Sequence, residues 1–261
     1  MDKGIFVGSS HFQGLGLEIE LSERFQSIDW LNQNGVDGLH EIIESDESLQ
    51  KENRWSYLLS QKLNIEEVNV AQHHEFGSGS DVQFFNNLFN ERFSLENVKY
   101  IFLELNSISR FPFYDTMITP IELENMLKHK TIDPNLKNRI EEWLYKSEKG
   151  ITYQYFKENL ERAIAQFPKI KFYVCDWYNL SRDKIEKDFP NNILYYTHKG
   201  KKYISILDGS RENKQLISDV SFCYKHNKIT WEVSYLDEHT NKEGQKYLSE
   251  VFFKQIKQEL L

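Results

Sequence analysis

Residues Val98 to Leu105 (Val-Lys-Tyr-Ile-Phe-Leu-Glu-Leu) are apolar at successive positions toward their middle, so both faces of the segment require burial. A strand points alternate side chains to opposite faces, and one that is apolar on both suits a parallel sheet covered by helices on each side. No other segment constrains the fold as much. Lys3-Gly4-Ile5-Phe6-Val7-Gly8, closed by glycine, and Lys169 to Cys175 have the same character, and Glu67-Val68-Asn69-Val70-Ala71 reads as a further strand.

Helical patterns lie between these runs. Trp55, Leu58, Leu59 and Leu63 recur at helical spacing, and Ser80 or Asp81 caps a helix carrying Val82, Phe85, Leu88 and Phe89. Residues from about Ile121 to Gln166 read as helical, with a start at Asp133-Pro134 and an end at Lys149-Gly150. Residues 193–206 read as β structure around a Lys199-Gly200-Lys201 turn. A last helix, Lys242 to Leu260, places Tyr247, Val251, Phe252, Ile256 and Leu260 on one face. The polar stretch from Gln13 to about Asn53 contains a turn at Asn34-Gly35-Val36-Asp37-Gly38, and Ser181 to Asp188 reads as a solvated helix face. Alternating strands and helices predict a single α/β domain over 1–261 with a mainly parallel sheet, and helical or β insertions around 120–165 and 190–230.

Composition narrows the function classes. With 32 basic and 40 acidic side chains the formal charge is −8, which argues against nucleic acid as a partner. The 18 Phe, 14 Tyr and 5 Trp supply a sizeable core despite a low mean hydropathy. Two cysteines, Cys175 and Cys223, are too few for a disulfide scaffold and suggest a reducing compartment. No apolar run approaches the roughly 20 residues of a membrane span. Met1-Asp2-Lys3-Gly4 enters a strand without a leader-like stretch. The expectation is a soluble cytoplasmic protein, with a phage origin left open, that engages neither membrane nor nucleic acid; oligomeric state is not legible.

Ligands of parallel sheets bind where loops leave the carboxyl ends of strands, and four loops hold unusual residues. Val7-Gly8-Ser9-Ser10-His11 follows the first strand; a serine on a sharp strand-to-helix turn can present its hydroxyl as a nucleophile, or simply cap a helix. Gly77-Ser78-Gly79-Ser80-Asp81 lets backbone N–H groups approach a ligand oxygen, or is a turn. Asn106, after Glu104-Leu105, has an amide suited to a developing oxyanion, or to a cap. In Asp237-Glu238-His239 the carboxylate can fix the tautomer of a general base, or the histidine is a surface residue. His73-His74-Glu75 with His11 match no spaced metal motif, so no metal site is assigned, and the two histidines become cleft candidates. Phe111-Pro112-Phe113-Tyr114 and Trp177-Tyr178 read as core or cover, with stacking on sugar rings as the alternative.

Taken in order, Gly8-Ser9-Ser10, Gly79, Asn106 and Asp237-Glu238-His239 resemble the four blocks of the SGNH (GDSL-type) hydrolase superfamily. The flanks Trp55-Ser56-Tyr57-Leu58-Leu59, Ser107-Ile108-Ser109-Arg110-Phe111 and Thr240-Asn241-Lys242-Glu243-Gly244 are similar too, and the resemblance spans about residues 4–258. It implies a flavodoxin-like three-layer α/β/α sandwich and a serine esterase needing no cofactor, acting on a small-molecule or carbohydrate ester. Ser10 would be the nucleophile, His239 the base and Asp237 its orienting carboxylate. Ser10 N–H, Gly79 N–H (with Gly77 competing for the role) and the Asn106 amide would form the oxyanion hole, with His11, His73, His74 and Glu104 lining the cleft. Ser9 replaces the family's usual Asp, Glu104 its Gly and Thr240 its Pro. A catalytically inactive SGNH-like module, carbohydrate-binding or part of a phage assembly, is the alternative.

Overall fold

Burial of both faces is what the strand Val98–Glu104 displays. The computed structural model describes residues 1–8, 33, 51–70, 81–105, 111–113, 116–118, 127–128, 132–148, 151–177, 181, 183–213, 220–225, 228–233 and 240–259. Along the chain these form β1 (Lys3–Val7), α1 (Trp55–Leu63), β2 (Glu66–Asn69), α2 (Asp81–Phe89), β3 (Val98–Glu104), β4 (Phe111–Phe113), β5 (Thr116–Ile118), α3 (Pro134–Glu148) and α4 (Ile151–Gln166). There follow β6 (Lys171–Cys175), α5 (Lys184–Asp188), β7 (Tyr196–His198), β8 (Lys201–Tyr203), α6 (Ile206–Glu212), β9 (Val220–Lys225), β10 (Lys228–Val233) and α7 (Lys242–Glu259). Among the described residues, no helix is long and apolar enough to cross a membrane.

The fold is α/β, with a four-stranded, all-parallel sheet in the order β2-β1-β3-β6. Two compact units are present: Met1–Ser9 with Val68–Leu194, and Ser10–Glu67 with Tyr195–Leu261.

In the first unit, Ile101, Phe102 and Leu103 of β3 are all fully buried, as a strand covered on both faces requires. Register places Phe6 beside Phe102 and Phe102 beside Tyr173, so the three rings form a ladder across β1, β3 and β6. Their centroids lie 4.4 and 5.5 Å apart. Ile193 bridges Val174 in parallel, and Leu194 N–H donates to the Val174 carbonyl, which adds a fifth position beside β6. Helices α2 and α4 meet through Phe85 and Phe156, edge to face.

Helix starts follow local chemistry. The Asp133 carboxylate accepts from the N–H groups of Asn135 and Leu136, and Pro134 fills the first helical position, where a missing N–H costs nothing. Helix α3 closes at Glu148, immediately before Lys149-Gly150, and α4 opens at Ile151, so the helical region breaks where the sequence marks a helix end. Two hairpins, β4–β5 and β9–β10, were not foreseen. For the second, the alternation of Val220, Phe222 and Tyr224 with polar residues was the available signal, but the two-residue connection His226-Asn227 lacks the glycine that usually announces a hairpin. Residues 111–113, expected as core or cover, form a strand containing proline, which suits an edge.

The run from Ser181 to Asp188 is solvated only in part. Lys184, Glu186 and Lys187 are exposed, but Ile185 and Ser181 are buried. Asp188 accepts from Tyr153 Oη at 2.9 Å and pairs with Lys157 Nζ at 3.0 Å. Burial alone would raise the Asp188 carboxyl, but the bonds from Lys157 and Tyr153 hold it below the ordinary value of 3.8. Burial and the bond to Asp188 push the Tyr153 phenol up. A depressed carboxyl stabilises the folded state above its unfolded pKa, and that contribution is lost as pH falls through the lowered value. Asp188→Asn is therefore expected to lower the urea midpoint at pH 7 and to lower it by less near about pH 3. A gap that stays constant between these pH values would refute the pairing.

In the second unit, β7 and β8 form a hairpin through Lys199 and Gly200, with φ of 48° and 79°. Positive φ at both central residues is what a two-residue turn matched to strand twist needs, and Gly200 supplies its share without strain. Helices α1 and α7 pack together, with Trp55 edge-on to Phe252 at 5.3 Å and Lys62 paired to Glu250 at 2.6 Å. Asn64 ends α1 in the left-handed region, so that its own N–H and that of Ile65 turn back to the last carbonyls. Tyr196 lies flat on Gly209 of α6, where an added Cβ would come within 2.2 Å of the ring. Alanine normally stabilises a helix interior by about 1 kcal/mol over glycine. Here the sign reverses: Gly209→Ala should cost about 1–3 kcal/mol in urea unfolding, because Tyr196 is fully enclosed and must shift. A stabilised variant would refute the close contact.

Candidate functional site

Parallel strands deliver their following segments to one edge of a sheet, and the described ends of β1, β2 and β3 are neighbours there. Val70 N–H donates to the Phe6 carbonyl at 2.8 Å, and Leu105 N–H to the Cys175 carbonyl at 2.9 Å. Pairing thus runs on past β2 at Val70 and past β3 at Leu105. Val7, Gly8, Val70 and Leu105 are buried.

Of the residues expected at the site, Glu104 is described. It sits at the end of β3, 1% exposed, opposite Cys175 of β6. Ser10, His11, His73, His74, Gly77, Gly79, Asn106, Asp237 and His239 lie outside the described residues. Thr240, which follows His239, is described and buried.

Beside Glu104 lies a polar group absent from the sequence reading. Asp176 is fully buried, and its Oδ2 accepts from the Ser181 N–H at 3.0 Å and the Ser181 hydroxyl at 2.7 Å. Burial, then the negative charges of Glu104 and Asp176, push the Cys175 thiol well up, so it stays protonated and is no nucleophile. Trp177 is buried as well, in accord with its reading as core, and Tyr178 lies outside the described residues. The sequence signal for Asp176 was a charged residue directly after a buried strand, the usual place for functional polar groups in parallel sheets. Among the described residues, no three His, Cys, Asp or Glu side chains gather into a metal-binding group.

The second unit holds two further buried polar networks. The Arg54 guanidinium grips Glu67 with two bonds, Nε to Oε1 at 2.9 Å and Nη2 to Oε2 at 2.6 Å, while the Ser56 hydroxyl donates to the same carboxylate. The Gln245 amide links Trp55 of α1 to Thr240: its Oε1 accepts from Trp55 N–H at 2.8 Å, and its Nε2 donates to Thr240 Oγ1 at 2.8 Å. Sequence reasoning passed over Gln245, although a glutamine in register with Leu248, Phe252 and Ile256 on an apolar helix stripe is an anomaly worth reading. Thr240, where the resembled family has proline, thus uses its hydroxyl as an anchor.

Compared with protein-family models, curated proteins and solved structures, the chain finds no match in any of the three.

Proposed function

We propose that the chain is a serine ester hydrolase of the SGNH type on a flavodoxin-like three-layer scaffold. The observation that carries this reading is the strand order. With β2, β1 and β3 adjacent and parallel, the segments holding Gly77 and Gly79, Ser10, and Asn106 all follow strands that end at one sheet edge. Asn106 is one residue past Leu105 and Ser10 three past Val7, which bounds their separation from those strand ends to about 4 and 11 Å. The order with a further position beside β6 also supports the flavodoxin-like arrangement, in which ligands bind near the point where strand order reverses.

In the proposed reaction, the Ser10 hydroxyl attacks the acyl carbon of a small-molecule or carbohydrate ester as His239 takes its proton. Asp237 holds the imidazole in the donating tautomer and stabilises the imidazolium. The N–H groups of Ser10 and of Gly79 or Gly77, with the Asn106 amide, stabilise the tetrahedral oxyanion, each donor being worth about 100- to 1000-fold. The protonated imidazole then gives its proton to the leaving alkoxide, and water, activated by the same histidine, releases the acid. The chemistry draws only on side chains and backbone amides.

The test is hydrolysis of a short-chain nitrophenyl ester by wild type and Ser10→Ala, with Ser10 identified by a fluorophosphonate label. Equal rates for the two proteins would end the proposal.

A second reading, a catalytically silent binding module, rests on the buried acidic pair. Glu104 and Asp176 lie at the ends of β3 and β6, and Glu104 is two residues before Asn106, so their charge opposes an anion forming nearby. Failure of Ser10 to take the label in the folded protein would favour it.

A further inference from the structure

A glutamine at 1% exposure must satisfy both ends of its amide, because an unpaired buried polar group is costly. At Gln245 the partners fix which end is which. Trp55 N–H is a donor and so faces Oε1; Nε2 then faces Thr240, bonding its hydroxyl at 2.8 Å and its carbonyl at 3.3 Å. Trp55 and Thr240 are themselves 0% and 2% exposed, so water does not compete for these bonds. Asn241 adds a second tie, its Oδ1 accepting from Gly244 N–H and its carbonyl from Gln245 N–H, both at 2.9 Å. The support beneath is stiff: α1 and α7 are joined by the Trp55–Phe252 ring contact and the Lys62–Glu250 pair. Thr240 is therefore held through its side chain and its main chain by a helix pair that is itself braced.

His239 is the next residue back along the chain, its Cα about 3.8 Å from that of Thr240. We infer that Gln245 is a positioning residue, clamping the main chain next to His239 so that the imidazole meets the Ser10 hydroxyl in register. The inference rests on the serine-hydrolase reading above. Misplacing a reacting group by about 1 Å can cost around 100-fold in rate, so a clamp of this kind affects turnover before it affects ester binding.

Gln245→Met keeps the length and removes all three side-chain bonds; Thr240→Val keeps the shape and removes the hydroxyl acceptor. Ser249→Ala is the control for general loosening, since the buried Ser249 hydroxyl donates to the Lys246 carbonyl on the same helix. With the nitrophenyl ester, Gln245→Met is expected to lower kcat about 10- to 100-fold with KM changed less than about twofold. Its pH–rate profile should change as well, because moving the base alters how it meets the Ser10 hydroxyl. Thr240→Val should show a smaller drop of the same kind, which keeps the test decisive if Gln245→Met does not fold, and Ser249→Ala should keep the wild-type kcat and pH profile. If Ser10→Ala lowers hydrolysis about 1000-fold while Gln245→Met and Thr240→Val retain wild-type kcat and pH profile, the positioning role is wrong and the hydrolase reading stands. If Ser10→Ala hydrolyses the ester as fast as wild type, or Ser10 is not labelled by the fluorophosphonate, both fall together.

Discussion

Ser10→Ala is expected to lower kcat/KM for ester hydrolysis by about 1000-fold or more, and His239→Ala to do the same. The two groups act as one device: without the imidazole the hydroxyl is a poor nucleophile at neutral pH, and without the hydroxyl the imidazole has no proton to take. The double variant should therefore be no slower than either single one, within about threefold. KM should stay near the wild-type value, because neither group is needed to hold the ester before attack. Residual catalysis above buffer should persist through the oxyanion donors, and Asn106→Ala should remove a further 100-fold or so from that residue of activity. Independent, additive losses for Ser10 and His239 in a three-variant kinetic series would show that they do not share a step.

Arg54→Met is expected to cost about 3–5 kcal/mol in urea unfolding, the largest stability effect here. The side chains of Arg54 and Glu67 are 8% and 3% exposed, and the guanidinium supplies two of the carboxylate's bonds. Removing it takes two charge-assisted bonds from a buried carboxylate, whose desolvation is then less well compensated. Replacing both members, as Arg54→Met with Glu67→Leu, should recover most of that loss. The network fixes the start of α1 against the first residues of β2, so the single variant should also loosen the support under Gln245. A loss below about 1 kcal/mol for the single variant would mean that the pair is solvated, as surface ion pairs are.

Much of the scaffold was legible because its signals are local. Isoleucine, phenylalanine and leucine in succession at 101–103 cannot be extended and half-exposed without heavy cost, so a doubly covered strand followed directly. Asp133-Pro134 states a helix start in two residues, and Lys199-Gly200 states a tight turn in two. The β9–β10 hairpin was overlooked because alternation alone competes with other readings when no glycine marks the turn. Glu104 shows the limit for the site: its position at the end of a strand was readable, but its enclosure beside Cys175 and Asp176 depends on β6, nearly seventy residues later. Gln245 shows it again, since its role is set by Trp55, separated from it by 190 residues.

The sequence by itself determined the alternation of strands and helices, the burial of both faces of β3, the helix starts and the order in which Ser10, Gly79, Asn106 and His239 occur. Those depend on steric period, on capping and on the hydrophobic effect acting over a few neighbouring residues. Only the tertiary structure decided which strands are neighbours, that Asp188 is held by Tyr153 and Lys157, and that Arg54 and Gln245 have buried partners. A polar side chain's environment is the sum of groups brought from distant parts of the chain, and nothing in its local sequence fixes which of them arrive.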